Sequence, residues 1–180
     1  MSSSPLALSP NQLISASRVR KAWVPVVLSI MFVCFTSTTL MSGYHTQIAL
    51  TDVWKAVLGP WHLGEIGSAN LIFRKVGHFI GYGLIGLLFR RGWYTTIRSR
   101  VLAMSGSVML LMASLAVLST FVLASLDEWH QCYLPQRVGS FHDVLLDTGG
   151  AMLFNILFLM FFNLRRGQRL LSLGLTQTSR

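Results

Sequence analysis

The residues best equipped for chemistry fall in two short stretches. "SLDEWHQCYLPQRVGSFHDVLLDTGG", residues 125–150, holds Asp127, Glu128, Asp143 and Asp147, four of the six acidic residues, together with Gln131, Arg137 and two histidines. "KVGHFIGY", residues 75–82, supplies Lys75, His78 and Tyr82. Carboxylates near an imidazole offer general acid and base groups, and guanidinium or ammonium groups offer charge-assisted contacts to phosphate. Glu128, Asp127, Asp143 and His78 are therefore the candidate catalytic residues, and Lys75, Arg137, Gln131, Tyr82 and Asp147 the candidate substrate contacts. No metal is expected, because HExxH and comparable ligand spacings are missing from the sequence. Ser140 lies in no nucleophile-elbow motif, and Cys34 and Cys132 form neither a CxxC pair nor a framework. The spacing names no cofactor.

The elements that must hold these groups are membrane spans. Of 180 residues, 52% are hydrophobic and only 12% charged, with a mean hydropathy of +0.55, whereas soluble domains carry roughly a quarter charged residues. A net charge of +9 would suit a nucleic-acid binder, but here the basic residues punctuate apolar runs and form no basic face, so nucleic acid is not an expected partner. Four stretches, near 23–41, 71–89, 101–126 and 141–163, have the roughly 20 apolar residues a crossing needs. The first has a longer apolar run than a signal peptide and no evident cleavage site, so it reads as an uncleaved anchor. Between the first two, "ALTDVWKAVL" (49–58) sets Leu50, Val53, Trp54, Val57 and Leu58 on one helical face, an amphipathic helix for the interface ended by Gly59-Pro60. The expected fold is all-α: a four-transmembrane-helix bundle with one short interfacial helix between the first and second spans. Residues 1–21 read as a disordered cytoplasmic tail, 22–166 as a single membrane domain and 167–180 as a cytoplasmic C-terminal tail.

Charge sets the expected orientation. With the N-terminus inside, 11 of 15 basic residues fall on cytoplasmic segments, as positive residues are retained there. All six acidic residues and all five histidines then lie toward the outer half. Any chemistry is expected at that face.

The second and fourth apolar runs reach full span length only by taking in Arg74 and Lys75, or Asp143 and Asp147. Charges at that depth turn to the bundle interior and find partners. Lys75, His78, Phe79 and Tyr82 form one helical stripe, and Asp143, Asp147 and Gly150 another, so a basic face should meet an acidic one. Gly77, Gly81, Gly83 and Gly86 offer a small-residue surface for close helix approach. A structural account is also open: "SFHD" (140–143) is a capping box, and capping plus an ion pair would occupy Ser140, Asp143 and Lys75. If the third span stays helical past Asp127, then Asp127 or Glu128 shares a face with Gln131.

"KVGHFIGYGLIGLLFR" followed by "LDEWHQCYLPQRVGSFHDVLLDTGGA" resembles the VanZ-like family of small membrane proteins, with its K-x-x-H-F-x-x-Y, D-E-x-x-Q, P-x-R and D-before-G elements. Lys75, His78, Phe79, Tyr82, Asp127, Glu128, Gln131, Pro135, Arg137, Asp143 and Gly150 occupy those places, and the resemblance covers about residues 70–163. Position 147, commonly Asn in that family, is Asp here. The resemblance implies a bacterial cytoplasmic-membrane protein associated with low-level resistance to the glycopeptide teicoplanin, of unsettled biochemistry. Three readings follow. One is an enzyme, a hydrolase or transferase, acting on a phosphate-containing lipid-linked envelope precursor at the outer face; another is a binder that sequesters an envelope lipid or a glycopeptide with no bond broken; the third is a network that only locks the helices. A transporter fits less well, since the charges gather at one face and not at the midplane.

Overall fold

A computed structural model of the chain describes residues 15–38, 43–59, 66–100, 105–134 and 138–177. Five helices follow in order: α1 (Ala16–Thr36), α2 (Gly43–Leu58), α3 (Ile66–Arg98), α4 (Gly106–Gln131) and α5 (Phe141–Gln177). Helices α1, α3, α4 and the Phe141–Arg165 part of α5 are long and apolar enough to cross a bilayer. The four-span, all-helical expectation holds. Helix α2 includes the expected 49–58 segment and begins earlier, at Gly43.

The helix ends differ from the apolar runs because hydrogen bonding, not hydropathy, terminates a helix. Helix α1 starts at Ala16, so Arg18, Arg20 and Lys21 lie in its first turns. Ser105 caps α4 by accepting from the Val108 N–H at 3.3 Å, which places the start after the expected 101. At its other end α4 runs to Gln131, carrying Asp127 and Glu128 on its last turn and a half. Helix α3, with 33 residues, is about 50 Å long and overruns a hydrocarbon core of about 30 Å at both ends.

Helix α3 is the central element, packed on each of the other four. Pairings at 75–143 and 78–147 rise together along both chains, so α3 and α5 run parallel, with α4 antiparallel to both. The interior combines a cluster of larger apolar side chains, Val26, Val33, Ile85, Phe89 and Val144 among them, with small and polar ones: Ala22, Ala116, Ala124 and Ala151 are buried, and so are Thr120, Asp147 and Asn155. Large apolar side chains such as Met31, Phe32, Phe73, Leu110 and Met160 point outward, each more than half exposed. In water such a surface would be an aggregation hazard. In lipid it is the expected one, because hydrocarbon already solvates it and helix association rests on close packing.

The glycines divide by face, which corrects the expectation of one continuous close-approach stripe. A Cβ at Gly83 would strike the Phe154 ring at 2.7 Å, and one at Gly86 would strike the Ala151 Cβ at 2.8 Å. On α5, a Cβ at Gly150 would fall on the Phe79 carbonyl oxygen. These three set the α3–α5 distance. Among the described residues, nothing lies within 4 Å of a Cβ built at Gly77 or Gly81, and both line the cleft between α1 and α3. We expect Gly150→Ala to destabilise by about 1–3 kcal/mol through overpacking, while Gly81→Ala is neutral or stabilising by up to about 1 kcal/mol because alanine favours helix. Thermal unfolding of the two variants in detergent checks this, and equal melting shifts would contradict the division.

Candidate functional site

The stripe on α3 meets the acids residue by residue. Lys75 Nζ lies 3.3 Å from Asp143 Oδ1, with the two side chains 50% and 32% exposed. The angles at this contact are not those of a hydrogen bond, since Asp143 Oδ1 has no hydrogen-bond partner among the described residues. One turn deeper, His78 Nδ1 is 3.4 Å from Oδ2 of the fully buried Asp147. Phe79 packs on Gly149 and Gly150. A further turn down, the Tyr82 hydroxyl donates to Asp127 Oδ2 at 3.0 Å. Helical spacing predicts the pairing of the two stripes, and the structure shows it.

Asp127 joins three helices. Its Oδ1 accepts from the Ser37 hydroxyl at the C-terminal end of α1, and its Oδ2 accepts from Tyr82 on α3 and from Gln131 Nε2 at 3.1 Å on α4. Glu128 does not join the Lys75–His78 stripe; its Oε2 accepts the Ser140 backbone N–H at 2.8 Å. That bond replaces the reciprocal half of the expected capping box. The helical extension of α4 to Gln131 carries Glu128 over the start of α5, leaving Asp143 free to turn toward Lys75. Asp127, Glu128 and Gln131 are all buried.

Beside this network, a cavity of about 440 Å³ opens between α1 and α3. Ser37, Arg74, His78, Tyr82 and Asp127 line its polar end, and Phe32, Val33, Leu84, Ile85 and Leu88 line the rest. Gly77 and Gly81 form part of its wall; side chains there would narrow it. Because Nδ1 of His78 faces Asp147, Nε2 is the ring nitrogen left for the cleft. The imidazole stacks on Tyr82, ring centroids 6.0 Å apart at 27°. A buried carboxylate behind an imidazole, with a guanidinium on the same wall, can move a proton at a group that the cation holds.

Two residues of this cleft escape the sequence reading. Ser37 is ninety positions from Asp127, and nothing local marks it. Arg74 is off the Lys75 stripe, but Arg74, Gly77, His78 and Gly81 make a second i, i+3, i+4, i+7 row whose glycines were the available signal. Arg137, with Pro135, lies outside the described residues. His130 and His142 are exposed and apart from the cluster. Among the described residues no three His, Cys, Asp or Glu side chains gather as a metal-ligand set.

Fold and site together define a polytopic membrane protein with a charged, hydrogen-bonded network at one end of a four-span bundle. The family model described as VanZ/LLP1 matches residues 5–163. The chain belongs to the VanZ/LLP1 family, and the match takes in α1 and α2 as well as the motif-bearing helices. No curated protein and no solved structure matches it.

The contacts differ in strength. Asp127→Asn places an amide where the carboxylate accepts three donors, and with charged hydrogen bonds contributing about 1.5–3 kcal/mol each we expect a loss of at least about 2 kcal/mol. Lys75→Met removes a half-exposed pair and should cost less than about 1 kcal/mol. Melting temperatures of the two purified variants decide, and a larger drop for Lys75→Met would reverse the ranking.

Proposed function

We propose that the protein is a membrane hydrolase or transferase acting on a phosphate-containing, lipid-linked cell-envelope substrate that enters the α1–α3 cleft. The observation that carries this reading is the His78–Asp147 pair facing an amphipathic cleft with Arg74 on its wall. In this reading Arg74 holds the phosphate, with Lys75 at the rim and Arg137 as a further clamp, while Phe32, Leu84 and Leu88 accompany the hydrocarbon tail. His78 Nε2 takes the proton of the attacking hydroxyl or water and returns it to the leaving group. Asp147 orients the ring and stabilises its cationic form, so its role is positioning and not substrate contact. Asp127, with Tyr82, Gln131 and Ser37, fixes the depth of the polar end. Asp143 holds Lys75, and Glu128 holds the start of α5.

The cleft's polar end belongs, in this proposal, to the outer face of a bacterial cytoplasmic membrane, with the N-terminal end of α1 and the C-terminal end of α5 in the cytoplasm. The excess of Arg and Lys on that side supports it. A change in an envelope lipid would then account for altered glycopeptide sensitivity, teicoplanin included. A second reading, a network that only binds or locks, has its own observation: Asp127, Glu128 and Asp143 are each engaged by partners from the chain itself.

General acid–base catalysis contributes about 10²–10⁴-fold, so His78→Gln should abolish the change that the wild-type protein makes to the lipid profile of expressing cells, read by mass spectrometry at matched expression and melting temperature. Asp147→Asn, which retains an acceptor for Nδ1, should reduce it by a smaller factor. An unchanged lipid profile in His78→Gln would favour the locking network. For topology, with Cys34 and Cys132 replaced, an impermeant thiol reagent applied outside should label His130→Cys and spare Thr95→Cys; the opposite pattern would invert the orientation.

A further inference from the structure

At the other end of the bundle lies a charge that the proposed chemistry does not use. Arg90 is only 6% exposed and sits twelve residues beyond His78 on α3, about 18 Å along the axis. Its Nη1 donates to Asn155 Oδ1 at 3.4 Å, and its Cζ lies 4.7 Å from the centroid of the Phe158 ring. Asn155 is itself buried, and its amide is held by the Ala151 carbonyl at 2.9 Å. The close α3–α5 approach at Gly86, against Ala151 and Asn155, brings these groups together. Among the described residues no carboxylate pairs with Arg90; the four acids of the network are at the opposite end. A guanidinium carries five N–H donors, and one long bond plus an aromatic face leaves most of that capacity unused. Leaving a buried charge without its partner is strongly destabilising.

Arg90 opens onto a cavity of about 470 Å³ whose wall combines Arg91 and Tyr94 with Met109, Met112 and Phe162. We propose that this cavity is a lipid site in which Arg90 and Arg91 hold the phosphodiester of an anionic phospholipid and the methionine and phenylalanine side chains receive the start of its acyl chain. Charge complementarity and the apolar wall select the occupant together. A free phosphate would satisfy the guanidinium and leave the hydrocarbon surface bare. A headgroup amine would bring an ammonium against two arginines, so an anionic headgroup fits better than a zwitterionic one. Basic pockets between spans are established places for such headgroups. The site does not depend on the outer cleft or on the direction of insertion.

The test uses the full chain purified in detergent, with phosphatidylglycerol, phosphatidylcholine of the same acyl chains, and inorganic phosphate as probes. Native mass spectrometry should show one phosphatidylglycerol retained per chain, with about tenfold less phosphatidylcholine, and only phosphatidylglycerol should raise the melting temperature. Arg90→Gln should lose that retention about tenfold, while His78→Gln keeps it. Equal stabilisation by phosphatidylcholine or by inorganic phosphate, undiminished retention in Arg90→Gln, or loss in His78→Gln would each overturn the proposal. Should Arg90→Gln not fold, Met109→Trp, which fills the cavity from α4, must lose the lipid; retention there refutes the site. The three-probe comparison on the wild-type chain needs no variant.

Discussion

Two buried carboxylates, Asp127 and Asp147, govern how the spans assemble. An ionisable group within a span is costly unless the bundle surrounds it with donors, and each helix can supply only a few at a given depth. Asp127 draws on Ser37, Tyr82 and Gln131, and Asp147 on His78. These contacts hold α1, α3, α4 and α5 at one level and set α3 parallel to α5, with Asp147 Oδ1 the carboxylate oxygen of the pair that has no hydrogen-bond partner among the described residues. The more exposed Lys75–Asp143 pair sits at the rim of the same arrangement and carries less of it, since it competes with solvent or headgroups.

Packing below the network follows from the solvent. Lipid gives helices no hydrophobic reason to associate, so contact comes from surfaces small enough to bring backbones together. Gly83, Gly86, Ala151 and Gly150 do this between α3 and α5. Helix α1 is attached differently: Trp23 packs on Trp93 with centroids 5.3 Å apart and donates to Thr96 at 3.0 Å, while Ser37 reaches Asp127 at the far end. Between those ends α1 buries Val26 and Val33 in the core, and the cleft opens on the side of α1 that faces Gly77 and Gly81, toward the Ser37 end. The same tight α3–α5 seam that supports the acid network also buries Arg90 beside Asn155, so both polar ends depend on one glycine-and-alanine contact.

Hydropathy and the helical period determined a good deal without any tertiary information. Four long apolar helices, a short helix between the first two, and the stripes of Lys75, His78, Tyr82 and Asp143, Asp147, Gly150 all arise from composition and from spacing along single helices. These are local properties, decided within a few turns, and they survive whatever the helices later do. The residues of the VanZ-like motif were likewise visible as residue types at fixed intervals.

Tertiary structure alone decided who meets whom. Ser37 finds Asp127 across ninety residues, and His78 finds Asp147 across sixty-nine; the tilt and axial register of whole helices set such contacts, and no window of sequence contains them. Glu128 took the Ser140 N–H because α4 persists to Gln131, a boundary that hydropathy placed earlier. The four glycines of α3 look alike in sequence but divide into seam and cleft according to which neighbour each one faces. Arg90, in sequence one of the basic residues counted for orientation, is a buried cation because α5 packs over it. Periodicity tells which residues share a face of one helix; the partner of that face is settled by how all the helices fill space together.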